Sequence, residues 1–265
     1  MRIDFHTHAF KDSIAAHAIH NLAETCGMTP NGGGTLGDLQ QMRSQEGLDA
    51  VVLLNIATKP DSERVINGWA KEALVDGVYS FASVHPFSKD LEGIVEKIKQ
   101  DGFPGVKLHP CYQHYFFDDP AAFPLYALLE ELGLPVVVHA GFDPYSPTIV
   151  HAMPEACLKV HKEFPRLTLV LAHMGGFNHL EEALECLAGE NVYLDTALCG
   201  GGLMPRELAE KMIRIHGADK VLLGSDYPWH MPGEEIAWLD SMDLSAREKD
   251  QILGENAARL LGLEK

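Results

Sequence analysis

Eight short apolar runs punctuate the chain, at residues 2–6, 50–56, 78–84, 105–109, 135–139, 167–173, 191–195 and 220–225. After a longer first interval, their starts recur at roughly 30 residues, the length one strand–helix unit needs. Between them, 61–76, 89–100, 121–132, 155–164, 179–189 and 206–216 carry apolar residues at the three- to four-residue spacing of amphipathic helices. Segments 13–26 and 36–45 occupy the first interval, and 234–242 and 246–261 follow the last strand. Pro120, Pro154 and Pro205 stand where helices begin, and Gly102, Gly133 and Gly217 where they stop.

Strands that are mostly apolar belong to a parallel sheet covered on both faces. Two arrangements fit, a closed (β/α)8 barrel and an open doubly wound sheet. The open sheet usually carries a glycine-rich turn after its first strand; here that strand runs into His6-Thr7-His8. The Asn31–Gly34 run neither follows a strand nor carries the Lys-Ser/Thr of a phosphate loop, and reads as a flexible loop at the barrel mouth. The 265 residues match the ~250 typical of one barrel. With no linker and no repeat beyond the strand–helix period, the expectation is α/β, a single (β/α)8 TIM barrel filling residues 1–265 as one domain.

Charge excludes several partners. Lys and Arg number 21 and Asp and Glu 38, a net −17, which argues against nucleic acid and against an anionic membrane surface. No apolar run reaches the ~18 residues of a membrane helix. The polar start after Met1-Arg2 lacks a signal-peptide core, so a cytoplasmic location is expected. The five cysteines (Cys26, Cys111, Cys157, Cys186, Cys199) form no C-x-x-C pair, against a disulfide scaffold or thiolate zinc site. Cys111 and Cys199, in loops, leave a reactive role open.

Histidine is the informative excess, 14 residues in all. Eight lie at or just after a strand end: His6, His8, His85, His109, His114, His139, His173 and His230. The other six (His17, His20, His151, His161, His179 and His216) fall in helices or near them and receive no chemical role. In a barrel, active-site groups come from the C-terminal strand ends. Alternation puts Asp4, His6 and His8 on one face. It likewise groups Val137 with His139, Leu169 and Leu171 with His173, and Leu222 and Gly224 with Asp226. If these faces are interior, four strands aim His or Asp at one point, as a divalent metal site requires. The alternative is a polar mouth of hydrogen-bonded histidines without an ion, which would gather imidazoles and a carboxylate where burial is costly.

These segments resemble the amidohydrolase superfamily, and within it the amidohydrolase-2 branch of aminocarboxymuconate semialdehyde decarboxylase-like enzymes. The resemblance rests on Ile3-Asp4-Phe5-His6-Thr7-His8, Gly105-Val106-Lys107-Leu108-His109-Pro110, Val138-His139-Ala140-Gly141 and Leu171-Ala172-His173-Met174-Gly175-Gly176. Leu223-Gly224-Ser225-Asp226-Tyr227-Pro228-Trp229 and Gly254-Glu255-Asn256-Ala257-Ala258-Arg259-Leu260-Leu261 complete it, so it covers essentially the whole chain. It implies one divalent ion, zinc for preference, held by His6, His8, His139 and Asp226. It implies catalytic roles for His173, as acid, base or polariser, and for Asp226, as the acceptor of a proton from metal-activated water. In some superfamily members a carboxylated lysine on the fourth strand bridges two metals; Lys107 would be that residue, with His139 and His173 on the second ion. The single-metal site is preferred, with Lys107 as a free ammonium.

His109, Trp229, His85, Tyr112, Gln113, His114 and His230 are candidates for the substrate pocket, each equally readable as structural. Asp4 is a candidate to orient a ligand imidazole, or a buried carboxylate with no role at the ion. Lys11, Arg43, Lys59 and Lys107 could offer charge to a carboxylate. The leading expectation is a metal-dependent hydrolase of a small amide, lactone or ester. The alternatives are a non-oxidative decarboxylase of an unsaturated or aromatic acid and a catalytically inactive metal- or ligand-binding barrel. The partner is a small-molecule substrate, and a homodimer is left open.

Overall fold

The eight runs pair in sequence order. In the structure, a computed structural model describing residues 1–264, they become β1 (Ile3–Thr7), β2 (Ala50–Leu54), β3 (Val78–Ser83), β4 (Val106–Leu108), β5 (Val136–Val138), β6 (Leu169–Leu171), β7 (Tyr193–Asp195) and β8 (Val221–Leu222). Every neighbour pair is parallel, and the order β1 to β8 is unbroken. The last seam is stitched by Phe5 N to Leu223 O (2.7 Å), Asp226 N to His6 O (2.8 Å) and His8 N to Tyr227 O (2.7 Å). The sheet is thus a nearly closed (β/α)8 barrel. The open-sheet alternative is gone.

The intervening helices are α1 (Asp12–Cys26), α2 (Leu36–Gln45), α3 (Glu63–Glu72), α4 (Leu91–Gln100), α5 (Phe123–Glu131), α6 (Pro154–Glu163), α7 (Leu180–Cys186) and α8 (Arg206–His216). After the barrel come α9 (Pro232–Asp240), α10 (Ala246–Asp250) and α11 (Asn256–Leu260). Local chemistry sets several ends. Thr35 and Asp38 form a reciprocal capping box on α2, which satisfies two orphaned donors of its first turn. The single helix expected over 246–261 is broken by a π turn at Gln251–Glu255. There the Ile252 carbonyl leaves the helix to accept Leu223 N–H at 2.9 Å. A Cβ on Gly254 would collide with the Met1 carbonyl, so only glycine lets this segment pass under the barrel.

Two cores divide the alternating strand residues. Val51, Leu53, Val106, Leu108, Val136, Val138, Leu169 and Leu171 face the helices. Ile3, Phe5, Val52, Phe81, Val137, Val170 and Leu222 fill the barrel interior, closed below by Ala257 and Ala258 of α11. Toward the C-terminal strand ends, buried polar side chains such as Lys107 and Asp195 take over from the interior apolar layer. No helix among the described residues is long and apolar enough to cross a membrane.

Candidate metal centre

Three acceptor atoms converge above the interior core. His6 Nδ1 lies 2.8 Å from Asp195 Oδ2, and His8 Nδ1 lies 3.0 Å from the Leu54 carbonyl. Carboxylates and carbonyls only accept, so both Nδ1 atoms carry the proton and both Nε2 atoms are bare. Those two Nε2 atoms face Asp226 Oδ1 at 3.3 Å and 3.0 Å. Lone pairs on three sides of one point are repulsive until a cation sits among them. Zinc bonds of ~2.0–2.1 Å to N and O place tetrahedral ligand atoms about 3.3 Å apart, close to the spacing seen. The residues present fit a divalent ion.

A second pair shows the same signature. His173 Nδ1 donates to Ala197 O at 2.9 Å, and His139 Nε2 donates to Phe142 O at 3.1 Å. Their remaining atoms, His173 Nε2 and His139 Nδ1, lie 3.1 Å apart, two bare lone pairs face to face. The His173 ring is 5.3 Å from that of His6. The expected ligand set is therefore gathered in part. His6, His8 and Asp226 share one point, whereas His139 meets His173 and, with His109, Asp143.

The strands explain each position. Alternation holds on β4, β5 and β7, so Lys107, His139 and Asp195 follow the interior face. It fails on β1 and β6. Ile3 and Phe5 are the interior residues of β1, and the register against β2 shifts between Asp4 and Thr7, which turns His6 inward as well. Val170, not Leu169 or Leu171, faces the interior from β6. His173 enters through a left-handed turn instead, at φ 57°; Asp226, on the interior parity of Leu222, also has left-handed backbone, at φ 71°. Such backbone costs roughly 1–3 kcal/mol per residue. It is held by His173 N to Asp195 Oδ1 (2.9 Å) and Asp226 N to His6 O (2.8 Å).

Burial sets the electrostatics. It holds His6 well below the usual histidine range, with Lys107 adding to the effect. It brings His139 and His173 down to about 4. All three imidazoles are neutral, as ligands and proton acceptors must be. Burial alone would raise Asp226, but its closeness to the His6 and His8 imidazoles outweighs burial and holds the carboxylate below its ordinary value. Lys107, fully enclosed, falls to about 8 despite the opposing pull of Asp195, Asp226 and Asp143. Its Nζ lies 3.5 Å from His6 Nε2.

Several expectations need correction. Asp4 orients no imidazole: its carboxylate takes Ser225 N (3.0 Å), Ser225 Oγ (2.5 Å) and His6 N (3.1 Å), pinning β1 to the β8 loop. The orienting residue is Asp195, which the strand-end rule that found Asp226 would also have found. Asp143, beyond the β5 end, was likewise missed. Of the loop candidates, His109, Tyr112 and Trp229 line the cleft over the trio, along with Lys107. Gln113 instead clamps loop backbone at His109, Ala57 and Val84. His85 bonds the Gln113 carbonyl, and His230 pairs with Glu234 and Glu235. Arg43 serves the Asp49 carbonyl, remote from the mouth. Burial raises the Cys111 thiol to about 12 and Cys199 well above its ordinary value, which leaves neither reactive. The Asn31–Gly34 loop is tied across the mouth, with Asn31 N on Pro228 O (2.6 Å) and Gly34 O accepting Phe10 N (2.7 Å).

The cleft is walled by rings. His109 stacks between Tyr112 (3.8 Å, 11°) and His139 (4.3 Å, 13°), and Phe142, Phe177 and Trp229 complete the wall.

Comparison with known proteins agrees with this architecture. The amidohydrolase family profile matches residues 3–263. A 2-amino-3-carboxymuconate-6-semialdehyde decarboxylase of Dictyostelium discoideum is 28% identical over 199 residues, 62% of this chain and 54% of its own length. The chain thus spans about half the length of that curated relative. An uncharacterised TIM-barrel protein of Bordetella bronchiseptica superposes with a TM-score of 0.76 at 21% identity, covering 99% of this chain and 98% of that one. A 5-carboxyvanillate decarboxylase of Novosphingobium aromaticivorans, complexed with manganese and a nitrobenzoic acid, gives 0.71 at 16% identity, with 99% and 96% covered. The profile runs from the first strand to beyond the last helix, and the chain belongs to the amidohydrolase-2 branch of the metal-dependent amidohydrolase superfamily.

Proposed function

We propose that this enzyme is a metal-dependent, non-oxidative decarboxylase of a planar unsaturated or aromatic acid. The observation that carries the reading is the buried Lys107 ammonium beside the trio, at the floor of a cleft walled by rings. A cation in that position suits an acid substrate, and flat walls suit a conjugated one. The named relative and the manganese-bound barrel support it, being decarboxylases themselves.

His6, His8 and Asp226 would hold the ion, with His139 as the fourth candidate ligand; the histidine-rich set favours zinc. When bound, the ion supplies positive charge that orients the acid and stabilises electron density left on it. Lys107 binds the carboxylate by charge. His173, with Nδ1 committed to Ala197 O, holds or moves a proton at Nε2. In the reaction the bond to the carboxyl carbon breaks, its electron pair stays on the substrate carbon, that carbon takes a proton, and carbon dioxide leaves.

Hydrolysis of an amide, lactone or ester is the second reading, favoured by the same donors, which suit activation of water. It asks Asp226 to accept a proton, and the histidines around Asp226 make it a weak base. The experiment is turnover of 2,6-dihydroxybenzoate and 5-carboxyvanillate by zinc- or manganese-loaded protein in D2O. Released carbon dioxide with deuterium at the vacated carbon supports decarboxylation. Oxygen from labelled water in the product of an ester or lactone, with no carbon dioxide from any acid, contradicts it.

A further inference from the structure

An apolar groove leaves the metal cleft between α1 and α3, with a volume of about 530 Å³. His8, Phe10, Ile56 and Tyr112 line both the cleft and the groove. Beyond them the walls are Ile14 from α1 and Val65, Ile66 and Trp69 from α3. The charged side chains on it are Lys11 and Glu72.

These walls lie largely outside the core, with Trp69 packed against its edge. A helix in a strand–helix unit normally spends its apolar face on the sheet. Of α3, only Glu63 and Ala70 are buried, and of α1 only Ala15 and Ile19. Val65 is 71% exposed and Ile14 53%. Val65 and Trp69, four residues apart, share one helical face and present it to the groove. Two helices thus leave Ile14 and Val65 exposed along a channel that begins at His8, one of the trio.

We infer that this groove takes the apolar tail of the substrate, so that the acid handled at the metal carries an alkyl or aryl substituent several carbons long. This rests on the reading of the cleft as an acid site. The ring of the acid would lie among Tyr112, Phe142 and Trp229, its carboxylate toward Lys107, and its tail along Val65, Ile66 and Trp69. The groove selects for length and apolarity, and the cleft selects for the carboxylate.

The test compares benzoate with 4-hexylbenzoate by calorimetric titration of the full, zinc-loaded chain, with no turnover required. Each buried methylene contributes enough to tighten binding roughly fourfold when fully covered. Even partial burial of six carbons is expected to make 4-hexylbenzoate at least about tenfold tighter. Val65→Asp, at an exposed position that leaves the fold intact, is expected to reduce that ratio severalfold, and Trp69→Ala to reduce it as well. A ratio near one in the unmodified protein overturns the inference. So does a ratio that Val65→Asp leaves unchanged, or equal 4-hexylbenzoate affinity with and without metal, which would detach the groove from the cleft. If the length ratio holds while no acid releases carbon dioxide, the decarboxylase reading fails and the groove stands.

Discussion

His6 and Asp195, 189 positions apart in sequence, share a buried hydrogen bond of 2.8 Å from Nδ1 to Oδ2. Asp195 also accepts the backbone N–H groups of His173 (2.9 Å) and Ala197 (3.1 Å). One carboxylate therefore fixes the tautomer of a proposed ligand and the backbone that carries the proposed proton carrier. Asp195→Asn keeps the shape but lets the amide donate to Nδ1, which puts the proton on Nε2, where the ion should bind. Such partners typically contribute 10–100-fold to metal affinity. The expected result is a loss in that range in a chelator competition. Unchanged affinity would show that Asp195 does not set the His6 tautomer.

Acidification should release the metal late. Histidine must be neutral to ligate, and an ordinary histidine would protonate near ~6.5. Burial keeps His6 well below that value and His139 at about 4. A lowered value means the neutral form persists as pH falls, so protons displace the ion only near the lowered value. Metal content after dialysis should hold at pH 5 and fall toward pH 4, rather than fall below pH 6 as unperturbed histidines would require. Half-release near pH 6.5 contradicts this.

Glu235 contributes a loss of stability to the metal-free protein as pH rises from acid to neutral. Its buried carboxylate accepts Cys199 N and Gly200 N (both 3.0 Å to Oε1) and lies 2.8 Å from His230 Nδ1. Burial raises Glu235 to about 7, and the Glu235 hydrogen bond raises His230. Both groups hold protons more tightly when folded. Their stabilisation is complete below the unfolded carboxyl value of ~4.3 and is lost as pH rises through about 7. Glu235→Gln should remove this contribution, so that the melting temperature changes more favourably from pH 5 to pH 8 than in the unmodified protein. An unchanged slope would show that Glu235 does not make it.

The barrel was legible because eight strand–helix periods and a length near one domain admit few topologies. The site was legible where the chain stays regular: Lys107 and His139 follow the alternation of β4 and β5. It was illegible where the backbone departs from a strand. The β1 register shift at His6 and the left-handed turn at His173 bring side chains inward that strict alternation misplaces. Asp4 looked like a ligand-orienting carboxylate because parity put it beside His6, and the same shift sends it to Ser225. The break at Gly254 depends on contact with Met1, a partner 253 positions away that no local pattern announces.

The central claim is that His6, His8 and Asp226 hold one divalent ion. Metal analysis of the purified chain and of the His6→Ala, His8→Ala double variant tests it most directly. One equivalent in the unmodified protein, none in the variant, and an unmodified Lys107 mass are the expected results. Full occupancy in the double variant, or two equivalents with Lys107 carrying the mass of carbon dioxide, would contradict it.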